Sequence, residues 1–342
     1  MKKRLTYLDL MKVIAMCMVV LSHVLQRQIK GVVPTIWFNI FYSVHMSMFM
    51  FVSGFLIKKC ESIKEYFKYI VKMIISYLLP SILFTILTVT TLPRYKDHNV
   101  LFWLKEFVVR TDSFYWYMIV AFALNSILSL AYYLTHKIQL KTTIKVICAI
   151  VVFAIFTVPF YFIAYSNLPG LLSSNLMIYL IPAFILGFIV SYIEKHLFRQ
   201  CVLIPLLSIS VIGYLTILIL RPNFVTFENN IDFLIHQIGS LFGTIMYYYI
   251  CVFLTKHKTF EQLSLFGKYS MPLYLIHVYL IRIITPYVNQ LSEYNFYSIS
   301  FLLVYMITFT VGSLFITILL CKNKYVDLIL FGNIKRVLDA KK

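Results

Sequence analysis

Apolar residues occur along this chain in runs of about twenty, and short polar stretches separate one run from the next. A run of that length is what an α-helix needs to cross a lipid bilayer. The pattern predicts an all-α fold, a polytopic membrane bundle of ten helices, with both termini on one side. The predicted spans are 8–28, 36–57, 70–92, 113–135, 144–165, 175–193, 202–220, 234–255, 269–289 and 297–321.

The composition supports a membrane protein of one domain. Hydrophobic residues make up 61% of the 342 positions and charged residues only 13%, and the mean hydropathy is +0.85. One soluble core cannot enclose so much apolar surface. No linker or low-complexity segment divides the spans, so we predict a single transmembrane domain over 1–342, with no appended soluble domain and no cleaved signal peptide.

The net charge of +18 follows the expected membrane topology. With the N-terminus in the cytoplasm, 22 Lys and Arg residues lie on the inner side and 7 on the outer side, while the acidic residues divide evenly. This distribution is the positive-inside rule, and it predicts cytoplasmic N- and C-termini. Because the charge is accounted for by lipid headgroups, we expect membrane lipid as a partner and no nucleic acid.

Ionisable residues within the first two spans are candidate functional groups. His23 and His45 each interrupt an apolar stretch, and such residues are costly in a membrane helix. Lys12 precedes His23 by eleven residues, which places the two side chains within about 20° on one helical face and about 16 Å apart along the axis. Asp9 is positioned to pair with Lys12 one turn away. The structural alternatives are interhelical hydrogen bonds for the histidines, snorkelling for Lys12 and an interfacial topology role for Asp9.

Later candidates carry weaker signals. In the ninth span Ser270 and His277 are seven residues apart with Tyr274 beside them, a polar stripe that either lines a cavity or is satisfied internally. Asp232 and His236, at the outer end of the eighth span, either bind an acceptor or cap the helix.

Three other sequence features have simpler interpretations. Gly239 and Gly243 have the G-x-x-x-G spacing of close helix packing. Trp116 fits an interfacial anchor or a cavity wall. No cluster of residues has metal-ligand spacing, so we predict no metal site.

Four segments in order resemble the acyltransferase 3 family, the integral-membrane O-acyltransferases that modify bacterial surface sugars. They are YLDLMKVIAMCMVVLSH at 7–23, VHMSMFMFVSGFLIKK at 44–59, FYWYMIVAFALN at 114–125 and FGKYSMPLYLIH at 266–277. Two positions depart from the family pattern: Lys12 stands where Arg is usual, and Ser47 where Pro is usual. Without that Pro, we expect the second span to run straighter around His45.

The resemblance implies transfer of an acyl group, usually acetyl, from cytoplasmic acyl-CoA to a hydroxyl of a cell-surface or lipid-linked glycan. It implies no bound cofactor; acyl-CoA is a co-substrate, and the cell membrane of a bacterium is the expected location. His23 is expected to be the general base or a transient acyl carrier, and His45 a second catalytic residue that orients the acceptor or holds the thioester. Lys12 and Asp9 are expected to meet the coenzyme, with Ser270, Tyr274, His277 and Trp116 as possible cavity lining.

The resemblance leaves several alternatives open. One is whether His23 or His45 is the base. Another is whether a separate protein is needed to complete the transfer. The acceptor, the acyl chain length and the oligomeric state are also left open. The alternative function is a transporter that exports polysaccharide or lipid-linked sugar, which a bundle with buried charge also fits.

Overall fold

A computed structural model describes residues 5–28, 36–110, 115–137, 141–166, 170–197, 200–221, 230–288 and 298–333. This described part is helical and contains no β-strand, which confirms the predicted all-α class. Its α-helices are α1 Thr6–Gln28, α2 Ile36–Tyr42, α3 His45–Phe55, α4 Ile63–Met73, α5 Leu79–Thr91, α6 Val100–Val109, α7 Trp116–His136, α8 Thr142–Ala164, α9 Ser174–Leu197, α10 Gln200–Leu220, α11 Asn230–Leu254, α12 Lys258–Ser264, α13 Ser270–Val288, α14 Ser298–Lys322 and α15 Lys324–Phe331.

Nine helical segments of the described residues are long and apolar enough to cross a membrane. They are Thr6–Gln26, Phe38–Phe55, Ile63–Thr91, Trp116–His136, Thr142–Ala164, Leu171–Glu194, Cys201–Leu220, Asn230–Leu254 and Val304–Lys322. Each overlaps a predicted span. The remaining predicted span, 269–289, coincides with α13, whose side chains beyond residue 284 lie outside the described part.

The third span begins earlier than the predicted 70–92. Helix α4 starts at Ile63, where Ser62 caps it by accepting a hydrogen bond from the amide of Glu65 at 3.2 Å. It continues through a π-helical turn, Ile74–Leu78, into α5. The lysines of α4 interrupt the apolar run and hide this start in the sequence. The interval 93–112, between the third and fourth predicted spans, also contains a helix, α6, capped by Asn99.

The helices form two compact groups. The first group comprises residues 1–52 and 190–318, and the second comprises residues 53–189 and 319–342. In the first group α1 packs against α11, α12 and α13, and α10 packs against α11. In the second, a Cβ built on Gly54 would lie 1.9 Å from the carbonyl oxygen of Phe184, so α3 and α9 touch at their backbones. That contact explains why glycine stands at position 54, in the family-like segment 44–59.

The second span is interrupted directly before His45, so the expectation of a straighter span is wrong. Helix α2 ends at Tyr42 and α3 begins at His45. The hydroxyl of Tyr214, on α10, donates to the carbonyl of Ile40 at 3.0 Å and accepts from Ser43, also at 3.0 Å. In a continuous helix that carbonyl would accept from the amide four residues later. A phenol inserted into the hydrogen-bond ladder therefore breaks the span without a proline.

Candidate active site

One end of α1 holds the predicted ion pair. The ammonium of Lys12 lies 2.7 Å from a carboxylate oxygen of Asp9, which confirms the predicted pairing one turn apart. Asp9 is buried and Lys12 only partly exposed, so the pair offsets the cost of burying each charge. A Cβ built on Gly267 would lie 2.5 Å from the carbonyl oxygen of Asp9. Only a glycine allows the turn before α13 to approach this end of α1 so closely.

The other end of α1 holds a pair of stacked imidazoles. The ring of His23 faces the ring of His277, on α13, with centroids 5.7 Å apart and planes 29° apart. Tyr274 lies against His277 on the same helix, with ring centroids at 5.5 Å. His277 is fully buried, whereas His23 is partly exposed. The first and last family-like segments, 7–23 and 266–277, are therefore in contact through His23 and His277.

Hydrogen bonds fix the tautomers of two histidines. Nδ1 of His277 donates to the carbonyl of Leu273 at 3.0 Å, and Nδ1 of His45 donates to the carbonyl of Phe41 at 2.9 Å. A carbonyl oxygen only accepts, so each Nδ1 carries the proton. In the neutral ring the lone pair is then at Nε2, the form in which an imidazole can accept a proton from a substrate. His45 reaches its partner carbonyl across the break between α2 and α3.

The structure brings some predicted site residues together and leaves others apart. Ser270 is the first residue of α13, two turns from His277, and His45 packs edge-on against Tyr42 at 5.3 Å. Trp116 begins α7 in the second helical group. Over the described residues, no group of three or more His, Cys, Asp or Glu side chains is placed to hold a metal ion.

One polar cluster near the ion pair has no sequence signal. The hydroxyl of Tyr7 donates to the carboxylate of Glu194 on α9, and the hydroxyl of Tyr248 on α11 donates to the same oxygen at 3.5 Å. The two phenol rings meet edge to face, with centroids 5.8 Å apart. Tyr and Glu at span ends are common and these three are far apart in sequence, so no spacing could have revealed the cluster.

The comparison with known families agrees with the resemblance. The model of the acyltransferase domain of the acyltransferase 3 family matches residues 5–321. No curated protein and no solved structure matches the chain. The match covers nearly the whole chain and includes both ends of α1, the interrupted second span and the segment that carries His277. The chain therefore belongs to the acyltransferase 3 family, as a multi-pass membrane protein of acyltransferase type.

Proposed function

We propose that this protein is a membrane-bound O-acyltransferase of the bacterial plasma membrane. It transfers an acyl group, acetyl in the first instance, from cytoplasmic acyl-CoA to a hydroxyl of a cell-surface or lipid-linked glycan. The observation that carries the proposal is the arrangement on α1: an ammonium near one end, and an imidazole about 16 Å farther along the same face.

The two ends of α1 fit the two ends of one donor molecule. Acyl-CoA is an anion at its phosphates, and its reactive thioester lies at the far end of the long pantetheine arm. Lys12 supplies a compact positive charge for the phosphates, and its contact with Asp9 keeps it in place before the donor arrives. The positive-inside distribution supports a cytoplasmic location for this end of α1, and acyl-CoA is made in the cytoplasm.

At the other end, His23 serves as the general base. An imidazole nitrogen takes the proton of the acceptor hydroxyl while the oxygen attacks the thioester carbonyl. The tetrahedral intermediate then collapses, the carbon–sulfur bond breaks, and the coenzyme leaves as a thiol that receives the same proton from the imidazolium. The products are an ester and CoA, with no net proton taken up or released.

His277 and His45 support this chemistry in different ways. His277 is buried against His23 and is anchored through Nδ1, so it orients the His23 ring. The hydrogen bond to the carbonyl of Phe41 fixes the tautomer of His45 and leaves a lone pair at Nε2. Nε2 can therefore accept a hydrogen bond from a hydroxyl of the sugar that receives the acyl group.

The decisive comparison separates an acyltransferase from an exporter. Native cells that carry a deletion of the gene, the wild-type gene or His23→Ala are grown, and the envelope glycan is purified. Both the amount of glycan and its alkali-labile acyl ester are measured. An acyltransferase loses ester in the deletion and in His23→Ala while the amount of glycan stays the same. Loss of the glycan itself, with unchanged ester per sugar on what remains, is the result expected of an exporter and contradicts the proposal.

A further inference from the structure

A second buried cluster of ionisable residues lies in the first helical group, away from Lys12. On α11, Nε2 of His236 lies 3.5 Å from a carboxylate oxygen of Asp232, one turn earlier. Nε of Arg221, which follows the end of α10, lies 3.8 Å from the same oxygen. Asp232 and His236 are 5% and 1% exposed, whereas the side chain of Arg221 is about half exposed. The carboxylate and the imidazole of the cluster are therefore buried, and its arginine is accessible.

This cluster lies at the same depth as His23. Tyr7 on α1 and Tyr248 on α11 are in ring contact, which fixes the register of the two packed helices. His23 lies sixteen residues after Tyr7, and Asp232 lies sixteen residues before Tyr248, so each is about 24 Å from that contact along its helix axis. Because α1 is the first crossing and α11 the eighth, alternate crossings make them antiparallel. His23 and Asp232 are therefore level, toward the extracytoplasmic side in the proposed topology.

Helix capping alone does not account for the cluster. An acidic residue in the first turn of a helix is favourable at the surface as well, so this role does not require a buried carboxylate. Burial of both a carboxylate and an imidazole inside a membrane span is costly, and it is typical of residues that handle a substrate. The distance between packed helices is about 8–10 Å, which a sugar ring with its substituents can bridge.

We infer that Arg221, Asp232 and His236 form the acceptor subsite of the proposed acyltransferase, and that it takes a neutral sugar. Carboxylate and imidazole accept hydrogen bonds from sugar hydroxyls, and the guanidinium donates to hydroxyl oxygens, so the cluster recognises neighbouring hydroxyls. The carboxylate of Asp232 lies against the guanidinium of Arg221 and balances its charge, which favours a neutral sugar over a phosphate-bearing polymer. A sugar held here presents a further hydroxyl to His23 at the same depth. The inference rests on the proposed function.

The test separates acceptor binding from donor binding. Asp232→Asn, His236→Gln and Arg221→Gln are introduced into the native gene, with Asn230→Ala as the control, because Asn230 is exposed at the same helix end. Alkali-labile acetate is measured on the envelope glycan, and the sugar that carries it is identified by mass spectrometry. Each variant is also purified, and its dissociation constant for acetyl-CoA and its melting temperature are measured.

The expected result is a loss of envelope ester of about tenfold or more in Asp232→Asn and His236→Gln, the effect of removing one hydrogen bond to a charged group. Acetyl-CoA affinity, melting temperature and abundance stay at the wild-type values, and Asn230→Ala keeps its ester. Wild-type ester in both variants overturns the inference. So does a joint loss of melting temperature and acetyl-CoA affinity, which marks a structural pair, and so does ester found on a phosphate-bearing polyol. A wild-type protein that neither binds acetyl-CoA nor adds ester refutes the proposed function itself.

Discussion

Replacing Gly267 with alanine tests how the late family segment positions the donor end of α1. The added Cβ would lie 2.5 Å from the Asp9 carbonyl oxygen, and ordinary van der Waals contact begins at 3.4 Å. Relief of the clash requires a displacement of about 0.9 Å between two backbone segments, since no flexible side chain can yield instead. Overpacking of this kind costs about 1–3 kcal/mol. A misplacement of about 1 Å near a reacting group can cost about 100-fold in rate.

The assay compares Gly267→Ala with Gly312→Ala in purified, reconstituted protein. A Cβ at Gly312, within α14, meets no atom of the described residues within 4 Å, so this second variant makes the same chemical change without the clash. We expect Gly267→Ala to lower the melting temperature and to reduce acetyl-CoA-dependent ester formation by about ten- to 100-fold. Gly312→Ala should match the wild type in both. Equal behaviour of the two variants would refute the argument that this backbone contact positions Asp9 and Lys12.

Three further predictions follow from the donor end, the interrupted span and the topology. Lys12→Ala should raise the KM for acetyl-CoA by about ten- to 100-fold, because it removes a charge-assisted contact. Lys12→Arg should retain the wild-type KM. An equal rise of the KM in both variants would contradict a role for charge alone. Tyr214→Phe should lower the free energy of unfolding by about 1 kcal/mol, as measured by thermal unfolding, because two buried hydrogen bonds lose their phenol. Asp97 and Glu61 are both exposed, so a cysteine at either position can be labelled in a cysteine-free background. The cysteine at 97 should react with an impermeant thiol reagent added to intact cells, and the cysteine at 61 should not. The opposite pattern would reverse the topology.

Local features were predictable from the sequence, and long-range contacts were not. The pairing of Asp9 with Lys12 follows from helical geometry alone, because the residues are one turn apart. The stacking of His277 on His23 joins residues 254 positions apart, and it depends on how α13 packs against α1. Spacing places each histidine on a helical face, but it cannot say which faces meet.

The interruption of the second span is not predictable from the sequence for the same reason. The sequence contains no proline at the break, and the residue that causes it, Tyr214, lies on another helix more than 170 positions away. The early start of α4 is not predictable from hydropathy, because a charged amphipathic segment and an apolar membrane span follow each other in one helical segment there. Hydropathy identifies only the apolar part.

The most direct measurement is the rate of ester formation by reconstituted His23→Ala protein, with acetyl-CoA as donor and purified envelope glycan as acceptor. His98→Ala is the control, because His98 is an exposed histidine outside the proposed site, where its ring contacts Phe102 and Trp103. Removal of a general base should lower kcat by about 10²- to 10⁴-fold while acetyl-CoA binding and protein abundance stay at the wild-type values, and His98→Ala should be fully active. If His23→Ala retains the wild-type rate, His23 is not the base and the proposed mechanism is wrong.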